Sequence, residues 1–280
     1  MRPATSMVRS VFALVLLGLA PACRKAAPPT GGELRGEPIP APTVASKATV
    51  VAASSPRAPA KLEHLRVPGD ARAVVVRADD GRPPTTVFLP GICSNAEGYL
   101  AAFPEAARAQ GGVVAIDGDV PCQGAPGFHS WSWDTERQGA RIEAALAAAG
   151  LREIPPEGIT IVGYSAGATI AEKLSASHPA RFTKAFVLGA PTDVSVPSFQ
   201  RSRAVVTGAC SLDVTARMRS GSVRLAAKRV PSTYVEMPGC THGQVADAEA
   251  VFDQAFSFLR TNALAVPEGA EAVPIVGYEP

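Results

Sequence analysis

Aromatic residues make up only 6% of this 280-residue chain, and its charges nearly cancel, with 27 basic against 25 acidic side chains and a net charge of +2. No stretch gathers Lys and Arg into a basic stripe, and so few rings leave no stacking platform, which excludes nucleic acid as a partner class. Histidines number four, and no Cys-x-x-Cys pair stands anywhere, so the spacing of a metal site is missing and no metal or organic cofactor is expected. Long hydrophobic runs are also missing. The longest, "VFALVLLGLA" at 11–20, would make about 15 Å of helix, half of a bilayer core of roughly 30 Å. What the chain does have is 46% hydrophobic residues with 25 Gly and 26 Pro, enough for one large domain or two small ones.

The apolar run follows Arg2 and Arg9 and ends at "PAC", the pattern of an export signal over 1–23. Its end, "LAPAC", resembles the lipobox of bacterial lipoproteins, which would make Cys23 a lipid-bearing residue and a lipid anchor the only expected membrane contact. The alternative is an ordinary secretory signal with an incidental cysteine. Residues 24–60, rich in Pro, Ala, Ser and Gly without a sustained period, read as a disordered linker, either a tether or an inert extension. The globular domain is expected over 61–264, followed by a loosely packed tail over 265–280.

Within that domain short apolar runs alternate with amphipathic stretches. "ARAVVVRA", "TTVFLP", "GVVAID", "GITIVG", "KAFVLGAP", "RAVVTGA" and "STYVEMP" read as strands. Helices are expected over 97–110 (bent or restarted at Pro104), 135–150, 165–177, 213–230 (broken at Ser220-Gly221) and 243–262. Continuous apolar strands between helices imply an α/β fold with a mainly parallel sheet covered on both faces. Ligands of such sheets bind at the carboxyl ends of the strands.

One junction carries more chemistry than the rest. In "GITIVGYSAGATIAEKL", a strand runs into Gly163-Tyr164-Ser165-Ala166-Gly167 and a helix follows at once. That is the G-x-S-x-G nucleophile elbow, in which glycines permit the tight turn and Ser165 stands above the sheet; the plain alternative is a Gly-rich turn with an incidental serine. A serine hydroxyl needs a base to attack near pH 7. Of the histidines, His64 precedes the core, His178 lies at a helix end, His129 sits in the loop "GAPGFHSWSWD", and His242 follows the last strand. The chain order Ser, acid, His selects His242. Asp213, after the strand preceding the histidine strand, is the first choice of acid and Asp193 the runner-up; either could instead cap a helix. Backbone amides for an oxyanion are expected at Ala166 and at Ile92 or Cys93 in "GICSN".

The elbow, this order and the strand-Pro-Gly loop together resemble the α/β-hydrolase fold over about residues 70–262. "LPGICSN" and "MPGCTHG" look most like secreted bacterial esterases related to dienelactone hydrolases and polyhydroxybutyrate depolymerases, departing from them at Pro90, where a His-Gly pair is usual. The resemblance implies neighbouring strands before Cys93 and Cys122, and again before Cys210 and Cys240, hence the disulfides Cys93–Cys122 and Cys210–Cys240, as an exported chain favours. It also implies a serine hydrolase of carboxylic esters, with a peptidase, an acyltransferase or a non-catalytic envelope binding protein as alternatives. Only residues 191–203 separate the strand after the elbow from the next, too few for a helical lid, so an open site for small or polymeric esters is expected. Tyr164, His129, Trp131 and Trp133 are candidates to line it; both tryptophans could equally anchor their loop on the core.

Overall fold

The computed structural model describes residues 57–70 and 72–275; the expected signal, Cys23 and nearly all of the linker lie outside them. In chain order the elements are β1 (Leu62–Leu65), β2 (Ala73–Arg77), β3 (Thr86–Leu89), α1 (Ala96–Leu100), α2 (Pro104–Ala109), β4 (Gly112–Ile116), β5 (Val120–Pro121), β6 (His129–Ser130), α3 (Thr135–Ala148) and β7 (Glu153–Ile154). They continue with β8 (Ile159–Tyr164), α4 (Ala166–Ser177), β9 (Phe182–Leu188), β10 (Ala204–Cys210), α5 (Thr215–Ala227), β11 (Ser232–Met237), α6 (Ala248–Thr261) and β12 (Val273–Pro274). One eight-stranded sheet runs in the order β1-β2-β4-β3-β8-β9-β10-β11. From β4 onward its pairs are parallel, while β1-β2 and β2-β4 are antiparallel.

Each strand has residues facing both ways, and two cores result. On one face Val87, Val114, Ile161 and Val187 pack under Ile142 and Leu146 of α3, Ile170 and Leu174 of α4, and Met218 and Leu225 of α5. On the other, Phe88, Val162, Phe186 and Val206 pack under Leu100, Phe103, Phe252 and Phe256 from α1 to α6, with Phe103 stacked on Phe252 at 3.7 Å. This two-sided burial is why the strands are apolar without alternation.

Three expectations need correction. Helix α5 continues through Ser220-Gly221, because Gly221 is where the helix meets Val194: a Cβ there would lie 2.6 Å from its side chain. Close approach, and no break, explains that glycine. The 265–280 tail contributes β12, which pairs with β7, and Ile275 is buried. At the other end, the Ala58 carbonyl accepts from Arg108 and the Ala60 amide donates to Glu105, so the packed chain begins before residue 61. Pro104 does restart the helix, standing at the first position of α2 where its missing N–H costs nothing.

The β5-β6 hairpin lies beside the strand ends and is tied down by Asp119. That carboxylate accepts from the Ser132 amide at 2.8 Å, the Ser132 hydroxyl at 2.7 Å and Gln138 at 2.9 Å, and Arg137 lies 2.8 Å away. Burial opposes its charge, but the hydrogen bonds from Ser132 and Gln138 and the charge of Arg141 more than offset this and hold its pKa at about 2. A folded-state pKa below the unfolded value stabilises the fold above the unfolded value, and the contribution fades as pH falls from about 4 toward 2. Asp119→Asn is therefore expected to cost on the order of 2 kcal/mol at pH 7. In urea unfolding the gap to wild type should close as pH approaches 2; a gap that stays constant would contradict this.

Candidate active site

Ser165 stands between β8 and α4 with φ 52° and ψ −115°, a backbone conformation that side-chain-bearing residues rarely adopt. Its neighbours make the turn obligatory. A Cβ on Gly163 would lie 2.4 Å from the Gly167 carbonyl oxygen, and one on Gly167 would lie 2.2 Å from that of Leu89. Strand β8 is central, between β3 and β9, so the elbow sits where loops from both sides reach it.

His242, in the loop between β11 and α6, places Nε2 2.9 Å from the Ser165 Oγ and Nδ1 2.6 Å from Asp213 Oδ2. An ionised carboxylate only accepts, so Nδ1 carries the proton and Nε2 is left to accept from the serine hydroxyl. Burial disfavours the Asp213 charge, but the His242 hydrogen bond and the Val214 amide, donating to Oδ1 at 2.7 Å, outweigh it and leave its pKa below the ordinary carboxylate value. Asp193 is absent from this array; it lies exposed near Arg217. The arrangement can move a proton from Ser165 to His242 while Asp213 balances the resulting imidazolium.

Both disulfides are present and both fasten this end of the sheet. Cys210–Cys240 joins the end of β10 to the histidine loop, and the amides of Leu212 and Asp213 donate to the carbonyls of Cys240 and Cys210. Cys93–Cys122 joins the loop after β3 to the hairpin, closing a separation of 29 residues. Bridges of this kind typically stabilise a fold by about 2–4 kcal/mol each. The loop after β3 passes against the serine: a Cβ on Gly91 would lie 3.4 Å from that of Ser165. Ile92 follows with its side chain exposed, then Cys93 at φ 48°. Ala166 is the first residue of α4, where an amide has no acceptor within the helix.

The candidate lining residues divide. Tyr164 is 1% exposed, and its hydroxyl accepts from the Gly243 amide at 2.7 Å, so it supports the histidine loop from below and does not line a pocket. Trp131 is 3% exposed and donates from Nε1 to the Pro90 carbonyl at 2.9 Å, which makes it the anchor of the loop after β3. His129 is largely buried; its backbone pairs with Ser94 in both directions and its Nδ1 lies 3.7 Å from the buried Asp117. Burial raises the pKa of Asp117 despite the Ala96 amide that donates to it. Trp133 alone of the four is open to solvent, with Lys173 over its ring. The hydrogen-bond partners that redirect Trp131 and Tyr164 lie 41 and 79 positions away in the chain, which no local pattern signals.

Protein-family models contain none that matches the chain, and no curated protein matches its sequence. Among solved structures, esterase PE8 shares 18% identity at a TM-score of 0.51, with 67% of this chain and 97% of that one covered. FphF, a fluorophosphonate-binding serine hydrolase of Staphylococcus aureus, shares 14% at 0.52, covering 72% and 99%. A hyperthermophilic esterase of the archaeon Pyrobaculum calidifontis shares 16% at 0.52, covering 73% and 87%. Together with the sheet order and the elbow, these likenesses establish the fold: it is that of the α/β-hydrolases.

Proposed function

We propose that this α/β-hydrolase-fold chain is a serine hydrolase that cleaves carboxylic esters through an acyl-enzyme. The observation that carries the reading is the unbroken chain of short contacts from Asp213 through His242 to Ser165, at 2.6 and 2.9 Å. His242 takes the Ser165 proton as the oxygen attacks the ester carbonyl, and the tetrahedral oxyanion is held by the amides of Ala166 and Ile92, with Cys93 as the alternative to Ile92. The imidazolium, steadied by Asp213, then protonates the leaving alcohol. Water, deprotonated by His242, releases the acid and restores Ser165. Every proton in this cycle moves between groups of this chain, substrate and water, so no metal or organic cofactor enters.

The short connection between β9 and β10 supports a substrate class. Between β9 and β10 the chain forms only a three-residue 3₁₀ turn, Pro197–Phe199, which leaves no helix to cover Ser165 from that side. A serine with no helical lid on that side suits small or surface-accessible esters, including polymers, over deeply held long chains. The likeness of "LPGICSN" and "MPGCTHG" to dienelactone hydrolase and polyhydroxybutyrate depolymerase relatives points the same way. Export, with a lipid anchor at Cys23 in the bacterial envelope, completes the proposal; two disulfides suit an oxidising compartment.

p-Nitrophenyl esters of rising acyl length test it. Acetate and butyrate should be hydrolysed with a kcat/KM no lower than that for palmitate, and peptide p-nitroanilides should be left intact, since one methylene is worth roughly 10-fold or more in a shaped pocket and an open site gains little of that from a longer chain. Preferred cleavage of the anilides would move the assignment to a peptidase, and transfer to added alcohol in preference to water would move it to an acyltransferase. Absence of turnover on all of them would leave a binding protein.

A further inference from the structure

We infer that Tyr99 and Tyr164 are positioning residues that clamp the backbone of Gly243, next to the base, and that Tyr99 thereby ties the oxyanion side of the site to the histidine side. The inference rests on the serine-hydrolase reading and adds to it two hydroxyls that touch neither substrate nor the reacting atoms. The Tyr99 hydroxyl donates to the carbonyl of Gly243 at 3.0 Å, and the Tyr164 hydroxyl accepts from the amide of the same residue at 2.7 Å. Gly243 directly follows His242 and has φ +90°, a turn that a side chain would strain. Both its polar groups are thus held by buried phenols, at 9% and 1% exposure.

Rings as well as hydroxyls enforce the geometry. Tyr164 packs on the His242 imidazole with centroids 5.5 Å apart, and Tyr99 packs on Tyr164 at 5.4 Å. Three residues before Gly243 the loop is fixed by the Cys210–Cys240 bridge, so the base sits between two anchors. Tyr99 belongs to α1, which starts right after the loop carrying Ile92 and Cys93 and is capped by Asn95, whose side chain accepts from the Gly98 amide at 2.7 Å. A single hydroxyl therefore joins the element after that loop to the loop holding the base. Burial raises the pKa of both phenols, which keeps Tyr99 a donor over the whole working range.

Tyr99→Phe removes only the donor to the Gly243 carbonyl, and Tyr164→Phe only the acceptor of its amide, so each tests the clamp even if the other variant fails to fold. The readouts are kcat and KM on p-nitrophenyl acetate from pH 5 to 9 in the full chain, thermal melting, and the rate of fluorophosphonate labelling at Ser165. A base displaced by a fraction of an ångström should lower kcat by about 10- to 100-fold in each folded variant, with KM within about twofold. The acid limb of the pH-rate profile should also move, because the environment of His242 changes. Wild-type kcat and an unmoved acid limb in both variants, with wild type labelled at Ser165, would overturn the clamp alone. If wild type is itself unlabelled, the serine-hydrolase reading fails and the clamp fails with it.

Discussion

Ser165→Ala is expected to lower kcat for short p-nitrophenyl esters by on the order of a million-fold, to the level that oriented amides and binding leave behind. The size follows from the mechanism, because without the hydroxyl no acyl-enzyme can form and the His242 proton shuttle has nothing to act on. Stability should change little or improve. The elbow holds Ser165 at positive φ because Gly163 and Gly167 are packed on backbone oxygens, and the serine side chain contributes only its bond to His242. KM on a small ester should stay within a few-fold, since the residue makes its contribution in the transition state. A kinetic loss below about 100-fold would mean that another group attacks.

Asp213→Asn is expected to lower kcat by about 10,000-fold, while Asp193→Asn keeps wild-type rates. An amide in place of the carboxylate can donate to Nδ1, which favours the tautomer with its proton on Nε2, where the base must accept. The same change removes the negative charge that balances the imidazolium at 2.6 Å. The pH dependence gives a further check. Asp213 is held below the ordinary carboxylate range, so it remains ionised near neutral pH. The acid limb of kcat/KM in wild type therefore reports one proton on the imidazole, with activity rising as pH increases through that limb. Two coupled protons on that limb, or equal losses in the two Asn variants, would contradict the assignment.

Much of this molecule could be read from its sequence, and the reasons are local. The parallel strands are runs of apolar residues buried on both faces, and the elbow is five contiguous residues whose glycines have no alternative at 2.2–2.4 Å from backbone oxygens. The order Ser165, Asp213, His242 then follows from which strand each residue terminates. Local pattern misled where one distant contact decides the outcome. Gly221 looked like a helix break because nothing nearby in sequence announces Val194. The β7-β12 pairing at 153–154 and 273–274 is two residues long on each side and carries no periodicity at all. Trp131 could line a pocket or anchor its loop, and His129 and Tyr164 looked like pocket walls. The indole donates to Pro90, 41 positions away, the Tyr164 hydroxyl accepts from Gly243, 79 positions away, and His129 packs beside Asp117. Side chains of amphipathic type are assigned to core or cleft by those partners, which only the folded chain brings together.

The mechanism turns on Ser165 being an activated nucleophile, and covalent trapping reads that property without any choice of substrate. Purified protein would be treated with a fluorophosphonate at neutral pH and digested, and the mass-shifted peptide mapped, with Ser165→Ala and His242→Ala in parallel. One adduct per chain is expected on Ser165, absent from the first variant and slowed at least about 1,000-fold in the second. A folded wild-type protein that takes up no label, or takes it up on another residue, would contradict it.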